Sequence, residues 1–364
     1  MDHPYSDLAE RQVWRRAVAE KAPFEVSGLW QPKFVINRRT RIVTAGSCFA
    51  QHIGRALKAR GYRWIDAEPA PEGASAALAR RFGYGMFSFR TGNIYTPAML
   101  DQWLGWAFAG GDAGGDAAPD IWWQQDGRWY DPFRPAVEPD GFASREEARA
   151  SRAACLAAIR DAVDQAGVFV FTLGLTEAWR DRASGVEFAV CPGTVAGRFD
   201  AAAHAFVNHT ARTTRAAMTA ALRRLRARNR RIRVLLTVSP VPLTATATPR
   251  HVLTATSHSK AVLRTIAGEL AEAHGFVDYF PSYEIITSPV FRGMFYGPNQ
   301  RTVVPAGVDF VMRSFFADQA AAFGGAAAAD PDGAADGTDT AAAPDAPGAD
   351  DIQCEEAMLD AFGR

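Results

Sequence analysis

The sequence predicts an α/β protein built around a parallel sheet, and two observations support this prediction. Four short apolar runs are rich in β-branched or aromatic residues and end in small or turn residues, as buried parallel strands do. They are RIVTAG (residues 41–46), GVFVFTLG (167–174), RVLLTVSP (233–240) and GFVDYFPS (275–282). Helical patterns separate these runs, and alternation of strand and helix predicts a parallel sheet covered by helices on both faces.

Four helical patterns accompany the strands. They are CFAQHIGRALKARG (48–61), REEARASRAACLAAIRDAVDQAG (145–167), AAHAFVNHTARTTRAAMTAALRRLRAR (202–228) and TATSHSKAVLRTIAGELAEAHG (254–275). The first pattern ends at Gly61, and glycine suits the end of a helix because it adopts left-handed backbone angles at low cost.

The chain is predicted to have one folded domain at residues 25–318, after an N-terminal arm (1–24) and before an acidic tail (319–364). An insertion at about residues 62–144 follows the first helix and is rich in Trp, Phe, Tyr and Gly; it suits a sugar- or acyl-binding cleft and a secondary hydrophobic core equally. The tail is a low-complexity run of Ala, Asp, Gly and Pro and is predicted to be disordered. Its last residues, IQCEEAMLDAFGR, have the pattern of a short amphipathic helix that docks on the body.

Composition excludes several classes of protein. The hydrophobic fraction is 48%, with 40 basic and 40 acidic residues, as in ordinary globular proteins. The polar start shows no signal peptide and no run is long enough to span a bilayer, so a cytoplasmic protein without membrane contact is expected. The basic cluster at residues 222–234 lacks aromatic residues for base stacking, which favours a basic helix end over a nucleic-acid site.

No cofactor is expected either. The Gly-rich loops carry no Walker lysine, and no His, Cys or carboxylate cluster has the spacing of metal ligands. The four cysteines lie far apart with no C-x-x-C pair, so reduced thiols are predicted.

Ser47 stands where the first strand ends and the first helix begins. Its hydroxyl is a candidate nucleophile, because free N–H groups at the helix start could stabilise an oxyanion; a helix N-cap is the simpler interpretation. Cys48 is a rival nucleophile, although burial against the sheet is favoured. His52, one turn later, is expected to be structural.

The carboxyl ends of parallel strands meet at one edge of a sheet, where active sites of α/β proteins lie. This rule brings four segments of the chain together. They are Ser47, residues 172–177, residues 239–243 and residues 282–284.

The segment GSCFAQHIGRAL resembles the signature of the GSCFA family, which is grouped with the SGNH (GDSL-like) hydrolases. Five further segments fit the same family: FSFRTGNIYTP, FTLGLTEAW, TVSPVPL, SHSKAVLR and YFPSYEI. The resemblance covers about residues 34–316. It implies a flavodoxin-like three-layer α/β/α fold and an ester hydrolase or O-acyltransferase activity on acylated carbohydrate, with a saccharide ester or another small ester as the partner molecule.

The resemblance also implies roles for individual residues. Ser47 matches the nucleophile, and its N–H would be one oxyanion donor. Gly92 matches the glycine that supplies a second N–H, with Asn93 beside it. Gly174–Glu177 (GLTE) stands where SGNH hydrolases have Gly-x-Asn-Asp, so Thr176 replaces an oxyanion-hole asparagine and Glu177 could hold a cationic group or orient a base.

The main departure concerns the general base. SGNH hydrolases carry Asp-x-x-His near the end of the domain, but Asn299 and Thr302 stand there in this sequence. A serine without a base is a poor nucleophile. The loop histidine His251 is the preferred substitute, with His258, Glu284, Tyr283 and Lys260 as further polar residues near the site.

Two alternatives to the hydrolase stay open on the sequence alone. The loss of Asp-x-x-His favours a catalytically inactive relative that binds a glycan or a biosynthetic partner through the aromatic insertion. A thiol-dependent acyl carrier using Cys48 is a weaker alternative. The sequence does not specify an oligomeric state.

Overall fold

The computed structural model describes residues 3–109, 118–324 and 359. These residues form two compact units. The sheet unit contains Arg39–Tyr279 together with Leu359, and the terminal unit combines residues 3–38 with residues 280–324. Apart from Leu359, the acidic tail predicted to be disordered lies outside the described residues from residue 325 onward.

Strands and helices alternate in the sheet unit. In chain order they are β1 (Ile42–Gly46), α1 (Phe49–Ala59), α2 (Ala76–Arg81), α3 (Pro97–Ala109), β2 (Trp123–Gln125), β3 (Arg128–Tyr130), α4 (Arg145–Gln165), β4 (Val168–Leu173), β5 (Glu177–Asp181), β6 (Glu187–Phe188), β7 (His204–Asn208), α5 (Ala211–Arg228), β8 (Arg233–Val238), α6 (Val252–Ala273) and β9 (Val277–Tyr279). No helix in the described part of the chain is long and apolar enough to cross a membrane.

The four predicted strands form one parallel sheet in the order β1-β4-β8-β9. Every residue of β1 and β4 is buried, which requires cover on both faces. Thr172 pairs with Gly46 on one side and Thr237 on the other, so the carboxyl ends of three strands lie level. The predicted parallel sheet flanked by helices is confirmed.

A second sheet corrects one prediction. Residues 204–208 were expected to begin a helix, but they form β7, which pairs with β5 in the antiparallel order β6-β5-β7. The helix starts only after Thr210, whose hydroxyl accepts from the Thr213 N–H. Threonine at this position satisfies an otherwise free N–H of the first turn, so the cap rather than the apolar pattern decides where α5 begins.

The aromatic insertion builds a core of its own. The ring centroids of Trp106 and Phe133 lie 4.7 Å apart, and those of Trp103 and Trp106 lie 5.5 Å apart. All three rings are buried. Of the two uses that the sequence allowed for these aromatics, these rings show the secondary core.

A buried ion network ties helix α4 to this core. Arg152 of α4 donates to both carboxylate oxygens of Asp131, at 2.8 and 3.0 Å, and Arg134 donates to the same carboxylate at 3.0 Å. All three side chains are fully buried. Burial alone would raise the pKa of Asp131, but the two guanidinium groups outweigh it and hold the pKa below its usual range.

The terminal unit is assembled from both ends of the described chain. It contains 3₁₀ turns at Glu10–Gln12, Pro23–Glu25 and Pro289–Phe291, a π-helical turn at Arg15–Ala19, and helices α7 (Ser282–Thr287) and α8 (Pro305–Phe323). Trp30 packs against Phe280 and Phe315, with ring centroids 5.2 Å away in both cases. The indole and the two phenyl rings therefore form the centre of its apolar core.

Candidate active site at the carboxyl end of the parallel sheet

Ser47 lies in the turn between β1 and α1, directly after the last residue of the strand. Its N–H donates to the Thr172 carbonyl at 3.0 Å, which extends the β1–β4 ladder by one residue. Gly46 makes this approach possible, because its φ is +133° and a Cβ there would lie 2.4 Å from the Thr172 oxygen. Only glycine fits that position without a shift of the backbone.

The Ser47 hydroxyl is buried and has no hydrogen-bond partner among the described residues. Helix α1 begins at Phe49 with Cys48 as its N-cap and without a side-chain cap. The interpretation of Ser47 as a helix cap is therefore wrong. Buried hydroxyl groups nearly always find a partner in proteins, so an unpartnered one at this edge of the sheet marks a place where a ligand atom could bind.

Gly174 packs directly against Ser47. A Cβ on Gly174 would lie 3.0 Å from the Ser47 Cβ and 3.1 Å from the Tyr95 carbonyl oxygen. The Gly174 and Leu175 N–H groups both donate to that carbonyl, at 2.9 and 3.0 Å. The predicted Gly174 is thus a contact residue of Ser47, and the loop that carries Tyr95 lies beside both.

A buried lysine reaches the same point from helix α6. The Lys260 Nζ donates to the Gly174 carbonyl at 2.7 Å, and the residue is 1% exposed. Next to it on the helix, the Ser259 hydroxyl accepts from the Thr176 N–H at 3.1 Å. Helix α6 therefore supports the segment that follows β4 through two polar contacts.

The loop of Gly92 and Asn93 also lies against the end of β1. The Ile94 N–H donates to the Gly46 carbonyl at 2.8 Å, and Asn93 is buried. Gly92 has a φ of +68°, a left-handed angle that favours glycine. This loop therefore hydrogen-bonds to the peptide unit that joins Gly46 to Ser47, while the oxyanion roles of Gly92 and Asn93 stay predictions.

Thr176 and Glu177 are both engaged by neighbouring groups. The Thr176 hydroxyl donates to Asn208 Oδ1 at 2.8 Å, so its proton points to that amide oxygen. The Glu177 carboxylate accepts from the Thr246 hydroxyl at 2.7 Å and from the Ala247 N–H at 3.2 Å. Glu177 therefore holds the loop after β8 in this structure.

The preferred base His251 and the second candidate His258 lie in the N-terminal part of the α6 segment. His251 is the N-cap of α6, and its Nδ1 accepts from the Leu253 N–H at 3.2 Å. Both His251 and His258 are exposed. Neither is hydrogen-bonded to Ser47, whose hydroxyl has no partner in the described part of the chain. The pairing of Ser47 with His251 stays a prediction.

Glu284, Asn299 and Thr302 belong to the terminal unit. Glu284 lies in the first turn of α7. The Asn299 Nδ2 donates to the Thr302 hydroxyl and its Oδ1 accepts from the Thr302 N–H, both at 2.9 Å. These two residues satisfy one another in a tight turn, where Asn and Thr side chains are common.

An apolar cavity of about 230 Å³ opens beside Tyr95 in the sheet unit. Its walls include Tyr95, Leu175, Trp179, Phe188, Phe206 and Leu243. Glu187 lies in the lining and is 5% exposed; it accepts from the Thr96 hydroxyl at 2.6 Å and is hydrogen-bonded to His209 Nε2.

Sequence reasoning missed the pair of Glu187 and His209. Glu187 belongs to β6, and His209 follows β7, in a region that was interpreted as helix. Antiparallel pairing of both strands with β5 brings the two side chains together. Only the NHT run at the helix cap (residues 208–210) would have hinted that the helix begins later.

Three other candidate groups lie close to the site or in the cavity wall. Cys48 is buried, as predicted. Burial raises the pKa of the Cys191 thiol, in the cavity wall, to about 11, so this thiol is protonated at neutral pH. Burial and the nearby Arg55 lower the pKa of His52 to about 4.

Across residues 3–109, 118–324 and 359, no group of acidic, His or Cys side chains is arranged to hold a metal ion.

The model of the GSCFA family matches residues 41–315. The chain belongs to the GSCFA family. Comparison with curated proteins and with solved structures gave no match. The family match includes the whole parallel sheet from β1 to β9 and the turn after β1 that carries Ser47. It also includes Gly174, which contacts Ser47, and Lys260, which donates a hydrogen bond to the Gly174 carbonyl.

Proposed function

We propose that this GSCFA protein is an SGNH-like serine ester hydrolase or O-acyltransferase, with acylated carbohydrate as its substrate class. The observation that supports the proposal is the buried, unpartnered Ser47 hydroxyl at the carboxyl end of β1. A flavodoxin-like arrangement of the layers is part of the same proposal. The parallel strand order and the Gly92 loop beside the end of β1 are consistent with it.

In the proposed reaction the Ser47 Oγ attacks the carbonyl carbon of the ester, and its proton passes to a general base. The tetrahedral oxyanion collapses, the ester oxygen leaves with a proton returned by the base, and an acyl-serine remains. Water or an acceptor hydroxyl then attacks this acyl group in the same way and frees Ser47. Because the Ser47 N–H is bonded to Thr172, the Gly92 N–H is the donor we assign to the oxyanion.

Lys260 is an alternative to His251 as the base. Its amine is buried and lies within hydrogen-bond distance of the Gly174 carbonyl, and Gly174 contacts Ser47. A lysine amine acts as a general base when it is neutral, because only that form accepts a proton. His251 is instead exposed and uses Nδ1 to cap its own helix.

Labelling with a fluorophosphonate tests the nucleophile, because this reagent modifies only activated hydroxyl groups. Wild type is expected to be labelled at Ser47, and Ser47→Ala is expected to lose the label completely. Ser239→Ala is the matched control, since Ser239 is another buried serine at the carboxyl end of a strand. If wild type folds normally and is not labelled, the hydrolase proposal fails.

A second pair of variants identifies the base. If Lys260 is the base, Lys260→Met slows labelling by about 10²–10⁴-fold while His251→Gln leaves it unchanged, which is the range typical of general-base catalysis. The reverse result would assign the role to His251. Circular dichroism confirms that each variant is folded, and equal labelling rates for both variants and wild type would exclude both residues.

A catalytically inactive binding module is the second candidate function. Two observations favour it: the Ser47 N–H is already hydrogen-bonded, and no imidazole of the described residues is hydrogen-bonded to the Ser47 hydroxyl. Such a module would bind its ligand in the aromatic cavity beside Tyr95. Binding of an acylated saccharide without labelling or turnover, measured by calorimetry on wild type and Trp179→Ala, would support this function over the hydrolase.

A further inference from the structure

The cavity beside Tyr95 has the features of a binding site that the proposed reaction does not itself use. Its volume is about 230 Å³, and Leu175, Trp179, Phe188 and Phe206 supply much of its wall. Concave sites lined mainly by apolar and aromatic side chains, with a few polar groups, are where proteins bind small apolar ligands.

The two carboxylates in the cavity lining do not need a cationic ligand as a partner. Glu177 accepts from Thr246 and Ala247, at 2.7 and 3.2 Å. Glu187 is hydrogen-bonded to Thr96 and to His209. Because the protein's own donors already satisfy both groups, the surface that an occupant contacts is chiefly hydrophobic.

A residue from the end of the chain is present at this cavity. Leu359 is one of the lining residues and is partly buried. In sequence it lies well beyond Phe323, the last residue of α8, after the run of Ala, Asp, Gly and Pro. An aliphatic side chain in an apolar cavity is stabilised in proportion to the apolar area that leaves water.

We infer that the cavity is the docking site of the C-terminal segment that carries Leu359, residues 352–364, and that an apolar ligand enters only by displacing this segment. This segment carries apolar side chains, as such a ligand does, since it contains Ile352, Met358 and Phe362 as well as Leu359. Its covalent tether gives it a high effective concentration at the cavity. A free ligand must compete with this segment. Its apparent affinity is therefore the affinity for the open cavity multiplied by the fraction of molecules in which the cavity is open.

Binding of Nile red to the full-length protein tests this inference without any turnover, and so independently of Ser47. The dye is neutral and apolar, which suits the lining. Leu359→Asp is expected to bind the dye several-fold more tightly than wild type, because a carboxylate is not stable in the cavity. Leu359→Ala is expected to lie between them, and the matched tail variant Ala342→Asp is expected to equal wild type.

A synthetic peptide of residues 352–364 completes the test. Added to Leu359→Asp, the peptide is expected to displace Nile red, whereas the same peptide with Leu359→Asp does not. Equal dye affinity for Leu359→Asp and wild type would overturn the inference. Failure of the unmodified peptide to displace the dye, or equal displacement by both peptides, would also overturn it.

Discussion

At the scale of single residues, burial decides the chemistry around Ser47. The Ser47 hydroxyl is buried without a partner, and the Lys260 amine is buried against the Gly174 carbonyl. His52, on the first helix, is half-buried and packs with its ring centroid 5.5 Å from that of Phe49. Its lowered pKa, about 4, makes it neutral at physiological pH and excludes a charged role for it there.

The pKa of His52 predicts a pH dependence of stability. It falls from an ordinary 6.5 to about 4 in the folded protein, so on acidification the unfolded chain takes up the proton first. The stabilisation present above about pH 6.5 is therefore lost between pH 6.5 and 4, by roughly 2–3 kcal/mol at about 1.4 kcal/mol per pH unit. Urea unfolding across this pH range is expected to show that the free energy of unfolding falls less steeply for His52→Gln than for wild type.

His258→Gln is the control for this experiment, because His258 is exposed on helix α6. It should keep the wild-type slope of unfolding free energy against pH. Parallel curves for His52→Gln and wild type would show that His52 is not held in its neutral form.

At the scale of elements, the site depends on close backbone contacts where strands end. Gly46 and Gly174 allow β1, β4 and the Tyr95 loop to meet at Ser47, because a Cβ on either glycine would overlap neighbouring atoms. Helix α6 supports the same place through Lys260 and Ser259. Helix α4 has a similar supporting role in another part of the sheet unit, where the Arg152 side chain binds the aromatic insertion.

Arg152→Leu is expected to destabilise the protein by about 3–5 kcal/mol, because it leaves the fully buried Asp131 with one guanidinium partner instead of two. The change also removes hydrogen bonds to the Pro119 and Ile121 carbonyls. Arg149→Leu on the same helix is the matched control. Arg149 pairs with Asp120 at the surface, where an ion pair contributes about 1 kcal/mol or less. Denaturant unfolding measures both, and equal losses would contradict the assignment.

At the scale of the whole molecule, the terminal unit joins the two ends of the described chain. The Asp318 carboxylate accepts from the Trp30 N–H at 2.9 Å. The Gln319 amide accepts from the Ile36 N–H at 2.9 Å and donates to the Phe34 carbonyl at 3.2 Å. Helix α8 therefore holds the N-terminal segment through buried polar contacts to its backbone.

Gln319→Leu is expected to cost about 1–3 kcal/mol, because it leaves the Ile36 N–H and the Phe34 carbonyl buried without this partner. Hydrogen exchange at Ile36 is expected to rise, while exchange in the parallel sheet stays unchanged. Asp309→Ala, an exposed change on the same helix, is the control. Wild-type protection of the Ile36 amide in Gln319→Leu would contradict the prediction.

The sequence by itself determined the sheet and the position of Ser47. The four buried strands show as apolar runs, and a small-residue turn after the first of them is a local signal. Only the tertiary structure decided which groups surround Ser47, that β7 is a strand, that His209 pairs with Glu187, and that Glu187 and Leu359 line one cavity. These contacts join residues far apart in the chain, and no local pattern encodes them because their energy comes from packing and hydrogen bonds formed only when the chain folds.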